Sequence, residues 1–362
     1  MGTEVLASLK DIAKATGYSL STVSRVMRSK GEISEAARKR IHEAAERLGY
    51  HENRLISGFQ TGRSRLIGVI CDHSNPFFQK IETEIQKLLY QRDYMVISCA
   101  SFNGTQQEDS ALLRRLLEQR VDGIIIVPRD DFADNDYFRD FVSRRIPVIS
   151  VDRKTKADID FIGTDDFYGG YLSARHLYET GRRNLGYLAG PDYASPARLR
   201  REGVEAFCHE HPEMNVRIID RCASIHFPKE LVLDFLRMHP ETDSFATFFD
   251  WQAILLCRYL FEEKIRIPDD IAVMGFGCME PDYANVFPVT SVDQKTETIA
   301  EKIVERLFLR LEHGREEHIP SAEIRIKPEI VVKGSTVKQE KGCSIRIGSH
   351  PSRRPSKSTI KS

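Results

Sequence analysis

The spacing of apolar residues changes near residue 65, and the two spacings predict two kinds of structure. Before that point Leu9, Ile12 and Ala13, then Val23, Val26 and Met27, then Ala37, Ile41, Ala44, Ala45 and Leu48 recur every three or four positions. Each set gives one buried stripe, so three short amphipathic helices are expected. Beyond Ser64 the pattern becomes short apolar runs: LIGVIC from 66, MVISCA from 95, GIIIV from 123, PVISV from 147, LGYLA from 185, ATFF from 246 and IAVMGF from 271. Continuous runs of this kind are characteristic of buried parallel strands. Amphipathic stretches separate them, such as the one carrying Phe77, Ile81, Ile85, Leu88 and Leu89. Alternating strand and helix predicts a doubly wound α/β body, with ligands taken up beyond the carboxyl ends of the strands.

The first two helices are joined at Gly17, where a positive φ is expected, and Ser19 is placed to cap the second. A third helix begins at the cap Ser34, with Glu35 in its first turn. Two short helices with a glycine turn, the second turning small polar and basic side chains outward, have the form of a helix-turn-helix. The outward candidates are Leu20, Ser21, Thr22, Ser24, Arg25 and Arg28. Leu20, Ser21 and Arg25 suit base edges, Arg25 in particular suiting guanine, while Thr22 and Ser24 suit backbone positioning.

Formal charge is zero, with 53 basic and 53 acidic residues. Its distribution is uneven: residues 1–65 carry 12 Lys or Arg against 7 Asp or Glu, a basic head suited to phosphate. Residues 338–362 carry 7 basic residues against one acid, with two prolines, which predicts a disordered basic tail from about 337 to 362. No apolar run approaches the roughly 20 residues of a membrane span, and no export signal precedes the first helix, so a cytoplasmic location is expected.

The seven cysteines, at 71, 99, 208, 222, 257, 278 and 343, form no CxxC pair and are expected to be reduced core thiols rather than metal ligands. No phosphate loop GxxxxGK[ST], no GxSxG elbow and no strand-following GxGxxG occurs, and Gly275-Phe276-Gly277 is only a fragment of the last. His209 and His211 form the only close histidine pair and lack nearby ligands. The sequence thus predicts no catalytic constellation, no metal site and no cofactor.

The run LKDIAKATGYSLSTVSRVM, followed by ISEAARKRIHEAAERLGY, Asn53 and TGRSRLIGVI, resembles the LacI/GalR family of bacterial repressors, and the resemblance continues to about Thr336. It implies a helix-turn-helix domain at 8–51, a hinge helix at 52–63 and a periplasmic-binding-protein type I-like body at 64–336. Lobe one would span about 66–163 and 292–322, lobe two about 164–291 and 323–336. The implied function is a DNA-binding repressor, a homodimer on a pseudo-palindromic operator. Its affinity would be controlled by a small sugar or sugar-derived effector, with carbohydrate metabolism as the setting.

In the hinge, Asn53 and Arg54 would contact the DNA backbone and Phe59 would occupy the minor-groove wedge position, with Ile56 in place of a small alanine. The implied effector residues are Asp72, His73, Asn75 and Phe77, then Asp152 and Arg153, then Arg200, then Phe249, Asp250 and Trp251, with Gly277 standing where the family usually carries an aspartate. Arg200 matches the ligand-binding arginine, a fork able to grip hydroxyls or a carboxylate. The missing carboxylate at Gly277 leaves open an alternative, a regulator that has lost its effector response. A transporter's sugar-binding protein would share the body, but the basic three-helix head argues against it. No leucine heptad in the tail suggests tetramerisation.

Overall fold

The computed structural model describes residues 7–27, 32–51, 62–100, 105–128, 134, 136–220, 227–278, 287–313 and 319–337. Arg28, Asn53, Arg54, Ile56, Phe59, most of the expected hinge helix and the basic tail lie outside the described residues. The chain divides into two compact units, one of residues up to Leu66 with Glu118–Asp122, the other of Ile67–Leu117 with Gly123 onward.

The first unit contains helices α1 (Leu9–Thr16), α2 (Leu20–Met27) and α3 (Glu35–Arg47). The Ser8 amide donates to the Asp11 carboxylate at 2.9 Å at the start of α1, and Gly17 ends it in the left-handed region, φ +76°, donating to the Ala13 carbonyl. The Ser19 hydroxyl accepts the Thr22 amide at 3.1 Å, the expected cap of α2, and Ser34 accepts the Ala37 amide at the start of α3. Ile12, Val23, Val26, Ile41, Ala44 and Ala45 close a small core. All six belong to the stripes read from the sequence.

Among its described residues the body carries twelve strands. They are β1 (Leu66–Cys71), β2 (Met95–Ala100), β3 (Gly123–Ile126), β4 (Val148–Val151), β5 (Asp160–Thr164), β6 (Asn184–Leu188), β7 (Asn215–Ile219), β8 (Ser244–Thr247), β9 (Ala272–Phe276), β10 (Thr290–Asp293), β11 (Glu323–Ile326) and β12 (Glu329–Val331). Its helices are α4 (Pro76–Tyr90), α5 (Gln106–Glu118), α6 (Arg139–Ser143), α7 (Asp166–Glu179), α8 (Ser195–Glu210), α9 (Lys229–Met238), α10 (Asp250–Glu262) and α11 (Thr296–Glu312). The strands form two six-stranded sheets, ordered β11-β5-β4-β3-β1-β2 and β12-β10-β9-β8-β6-β7. Strands β1, β3, β4, β5 and β11 pair in parallel in the first sheet and β6 to β10 in the second, whereas β12 runs antiparallel to β10. Each sheet therefore needs helices on its faces, and the doubly wound architecture follows.

The chain passes between the lobes three times: after β5, after β10, and between β11 and β12. The last passage lies beyond the boundary expected at 322/323. Glu323–Ile326 register with Phe161–Thr164 and complete the first sheet, so only the chain from 329 returns to the second. Likewise β10 belongs wholly to the second sheet, whereas the expected boundary fell at 292. Helix α11 then returns to the first lobe, where Ile299, Ile303 and Leu307 pack with Ile67, Ile81, Ile85 and Leu89.

Helices α7 and α8 approach unusually closely. A Cβ on Gly170 would lie 1.9 Å from the Arg200 carbonyl oxygen, and one on Gly203 2.0 Å from that of Phe167. Only glycine fits at either point. No disulfide joins the described cysteines; Cys71, Cys208 and Cys257 are buried, Cys99 and Cys278 half-buried. Among the described residues no helix is long and apolar enough to cross a membrane.

Candidate nucleic-acid interface and ligand cavity

Helix α2 turns Val23 and Val26 into the three-helix core, and the opposite face follows from helical spacing. Leu20, 44% exposed, lies beside exposed Ser21 and Arg25, with Thr22 and Ser24 half-buried. The Thr22 and Ser21 hydroxyls both lie within hydrogen-bond distance of Ser19, at 2.8 and 3.0 Å. Ser19 therefore fixes the first turn, and among the described residues Arg25 is the long cationic side chain on that face. An exposed, capped helix with a guanidinium on its outer side has the chemistry needed to read base edges.

In the body, a cavity of about 220 Å³ opens at the carboxyl ends of strands from both sheets. Of the eleven residues expected at an effector site, ten line it: Asp72, Asn75, Phe77, Asp152, Arg153, Arg200, Phe249, Asp250, Trp251 and Gly277. His73 does not. Its Nε2 lies 3.0 Å from Glu82 Oε2 and 2.9 Å from Ser98 Oγ, because the turn after β1 sends the imidazole toward α4 and β2. The loop itself is held by Asp72, which accepts the Ser74 amide and hydroxyl, and by Asn75, which caps α4 through the Phe77 amide. Phe77 both lines the cavity and packs in the first-lobe core.

Arg200 is placed differently from a simple ligand fork. It is 4% exposed, and its Nε–H donates to Asp166 Oδ1 at 2.7 Å. Nη1 donates to the Phe248 carbonyl at 2.8 Å and Nη2 to Gln294 Oε1 at 3.2 Å. The guanidinium also lies over the Phe276 ring, 3.6 Å from its centroid, and near Phe248 at 4.7 Å. Burial pushes the Asp166 carboxyl up, and the charge and hydrogen bond of Arg200 oppose that shift. Arg200 thus organises the cavity wall at the passage between lobes, with much of its donor capacity spent on the protein.

Other wall residues are also fixed from behind. Asp250 accepts the Ser291 hydroxyl at 2.6 Å. Gly277 takes φ +123°, a conformation that side chains disfavour, and donates to the Val292 carbonyl. Beside it, burial pushes the Cys278 thiol up, reinforced by the charge of Asp250. Asp152 holds φ +67°. Such a backbone costs a non-glycine residue on the order of 1–3 kcal/mol, and strain of this kind is concentrated at ligand sites. Arg153 donates to the Pro128 carbonyl at 3.2 Å and lies 5.7 Å from the Tyr193 ring centroid.

The cavity also includes Ser74, Pro76, Phe78, Val127, Pro191, Tyr193, Ala194, Pro196, Phe248, Phe276 and Gln294, which sequence reasoning does not assign to the effector site. Val127 ends an apolar run and Phe248 is next to last in another, directly after the strand that closes at Thr247, so the strand-end rule contained the signal for them. Gln294 follows the polar strand TSVD and carried no such signal.

Residues 8–53 match the family described as bacterial regulatory proteins, lacI family, and residues 64–329 match periplasmic binding proteins and sugar binding domain of LacI family. The chain is 29% identical over 311 residues to the sucrose operon repressor of Pediococcus pentosaceus, covering 84% of this chain and 92% of that one. It is 26% identical over 338 residues to the HTH-type transcriptional repressor PurR of Photobacterium profundum, covering 91% and 98%. Among solved structures, a lac repressor dimer bound to operator and the anti-inducer ONPF superimposes with TM-score 0.79 at 22% identity, over 92% of this chain and all of that one. With a matching helix-turn-helix profile at one end and a matching two-lobed body over most of the remainder, the chain belongs to the LacI family of bacterial regulatory proteins.

Proposed function

We propose that this protein is a transcriptional repressor that binds a pseudo-palindromic operator as a homodimer and releases or tightens its hold when a compact polyhydroxylated effector enters the body. The observation that carries this reading is the cavity at the strand ends of both lobes, in a chain that also bears a capped helix-turn-helix with Arg25 exposed. At about 220 Å³ the cavity is smaller than the roughly 300–1,000 Å³ typical of drug-sized ligands. That size favours a monosaccharide or a sugar derivative of similar bulk. Asp72, Asp152 and Asp250 supply acceptors for hydroxyls, Arg153 a donor, and Trp251 with Phe249 an apolar face for a sugar ring. These acceptors take over the role of the carboxylate that Gly277 lacks. No reaction is assigned to the cavity; the relatives named above are repressors, and the protein is proposed to act in the cytoplasm on DNA.

Trp251 is the only tryptophan of the chain, lines the cavity and is 38% exposed, so its fluorescence is a direct reporter. Titration of the full-length protein with pentoses, hexoses, sugar phosphates and nucleobases should give a saturable change for one of these classes. Arg153→Ala should weaken it, and the same ligand should alter operator affinity. A saturable ligand with no effect on operator binding would sink the effector reading. Operator binding without any ligand in the panel would favour the effector-independent regulator.

A further inference from the structure

Behind the cavity wall, three side chains from β1, the following loop and α4 converge. Cys71 Sγ lies 3.5 Å from Glu82 Oε2, His73 Nε2 lies 3.0 Å from the same oxygen, and all the candidate ligand atoms are within 4.8 Å of one another. Cys71 and Glu82 are buried, whereas the His73 side chain is 36% exposed. From these residues we infer a binding site for a thiophilic divalent cation, Zn²⁺ being the best fit, with Cys71, His73 and Glu82 as ligands.

The geometry suits that ion. Metal bonds of ~2.3 Å to sulfur and ~2.0 Å to nitrogen and oxygen in a tetrahedron put sulfur and oxygen ~3.5 Å apart and nitrogen and oxygen ~3.3 Å apart. The observed separations of 3.5 and 3.0 Å are close to both. The remaining edge, sulfur to nitrogen, is no longer than 4.8 Å, and the half-exposed imidazole is the ligand able to move to shorten it. One sulfur, one imidazole and one carboxylate select zinc-like ions over magnesium or calcium, which take oxygen. Three protein ligands leave a fourth position for water, and the exposed edge of His73 gives the ion a way in. Outside the ligands, Gln86 Nε2 donates to Glu82 Oε1 at 3.0 Å, orienting the carboxylate as outer partners of metal ligands do. Binding releases the thiol proton of Cys71 to solvent, and no redox change is involved.

The consequence is positional. His73 sits between Asp72 and Ser74, both on the effector cavity, so the cation would pin that loop to α4 and fix one wall. This consequence depends on the proposed effector site; the cation site itself does not. The test uses the full-length protein, stripped with a chelator, desalted and titrated with Co²⁺ under anaerobic conditions. One equivalent should produce a thiolate-to-cobalt charge-transfer band with the visible bands of a four-coordinate site, and Zn²⁺ should displace both. Cys71→Ser should abolish the charge-transfer band. His73→Gln, at a half-exposed position that the fold tolerates, should weaken Zn²⁺ at least about tenfold in competition with a chromophoric chelator. Cys208→Ala, in the other lobe, should leave the spectrum unchanged. Absence of a stoichiometric band, or a band that survives both Cys71→Ser and His73→Gln, would overturn the assignment.

Discussion

Thr164 donates its hydroxyl to Gln294 Oε1 at 2.9 Å, linking the first passage between the lobes to the second. The same oxygen accepts Arg200 at 3.2 Å, so a single buried amide joins both passages to the cavity wall. The third passage is tied in by the Asp165 amide, which donates to the Ile326 carbonyl at 2.9 Å. Any change in lobe orientation must work through these contacts.

Gln294→Ala should therefore cost about 1–3 kcal/mol of stability, because it strands buried donors on Thr164 and Arg200. Urea unfolding checks this. If the cavity controls operator affinity, the same variant should also shrink the effector's influence on DNA binding, which in such systems corresponds to roughly 1–3 kcal/mol of coupling, while leaving affinity without effector nearly intact. Fluorescence anisotropy with a labelled operator, with and without ligand, reads that difference.

Arg200→Ala and Asp166→Ala should each destabilise the body by about 3–5 kcal/mol, since either leaves one charge buried without its partner. The double variant should lose less than the sum of the two. Additive losses in a double-mutant cycle would show that the pair is not coupled. It follows that loss of ligand binding in Arg200→Ala is not by itself evidence of ligand contact, and Arg153 and Trp251 are better probes.

Arg25→Ala should reduce discrimination at one operator base pair by about 1–3 kcal/mol, as expected for the loss of a guanine contact. Ser19→Ala should act differently, weakening all sequences alike by loosening the first turn of α2. A binding screen over operators mutated one base pair at a time separates the two outcomes.

Burial holds the His176 imidazole below its ordinary value, with Glu179 partly opposing, and its Nε2 lies 2.8 Å from Thr336 Oγ1. Above the unfolded value of about 6.5 both states are neutral and the residue imposes no pH dependence. As pH falls below that, the unfolded chain takes up the proton first, so stability is lost on acidification. The thermal midpoint should drop between pH 7 and 5.5, and His176→Gln should flatten that drop. An unchanged profile in the variant would assign the acid sensitivity to other groups.

The elements legible in the sequence are those whose burial is apolar and local. Helices α1 to α3 are set by their stripes and by Gly17 and Ser19, and β1 to β4, β6, β8 and β9 by short apolar runs. Strand β5 shows no such run, because it opens on Asp160. That carboxylate is fully buried only because Arg306 and Arg310, from α11, pair with it. Strands β7, β10, β11 and β12 are short or mixed in polarity, and their sheet partners supply the pattern they lack. The positions around the cavity were readable from strand ends, but the engagement of Arg200 with Asp166, and the turning of His73 toward Glu82, depend on contacts between separate segments.

The glycine contact between α7 and α8 acts at a distance from any ligand. Gly170 touches the backbone of Arg200, so the depth at which that guanidinium sits is decided by the missing methyl groups of two residues outside the cavity lining. The selectivity of the chamber is thus partly inherited from its foundations. Any larger residue at either glycine would force the helices apart and shift that guanidinium without replacing a single group of the cavity lining.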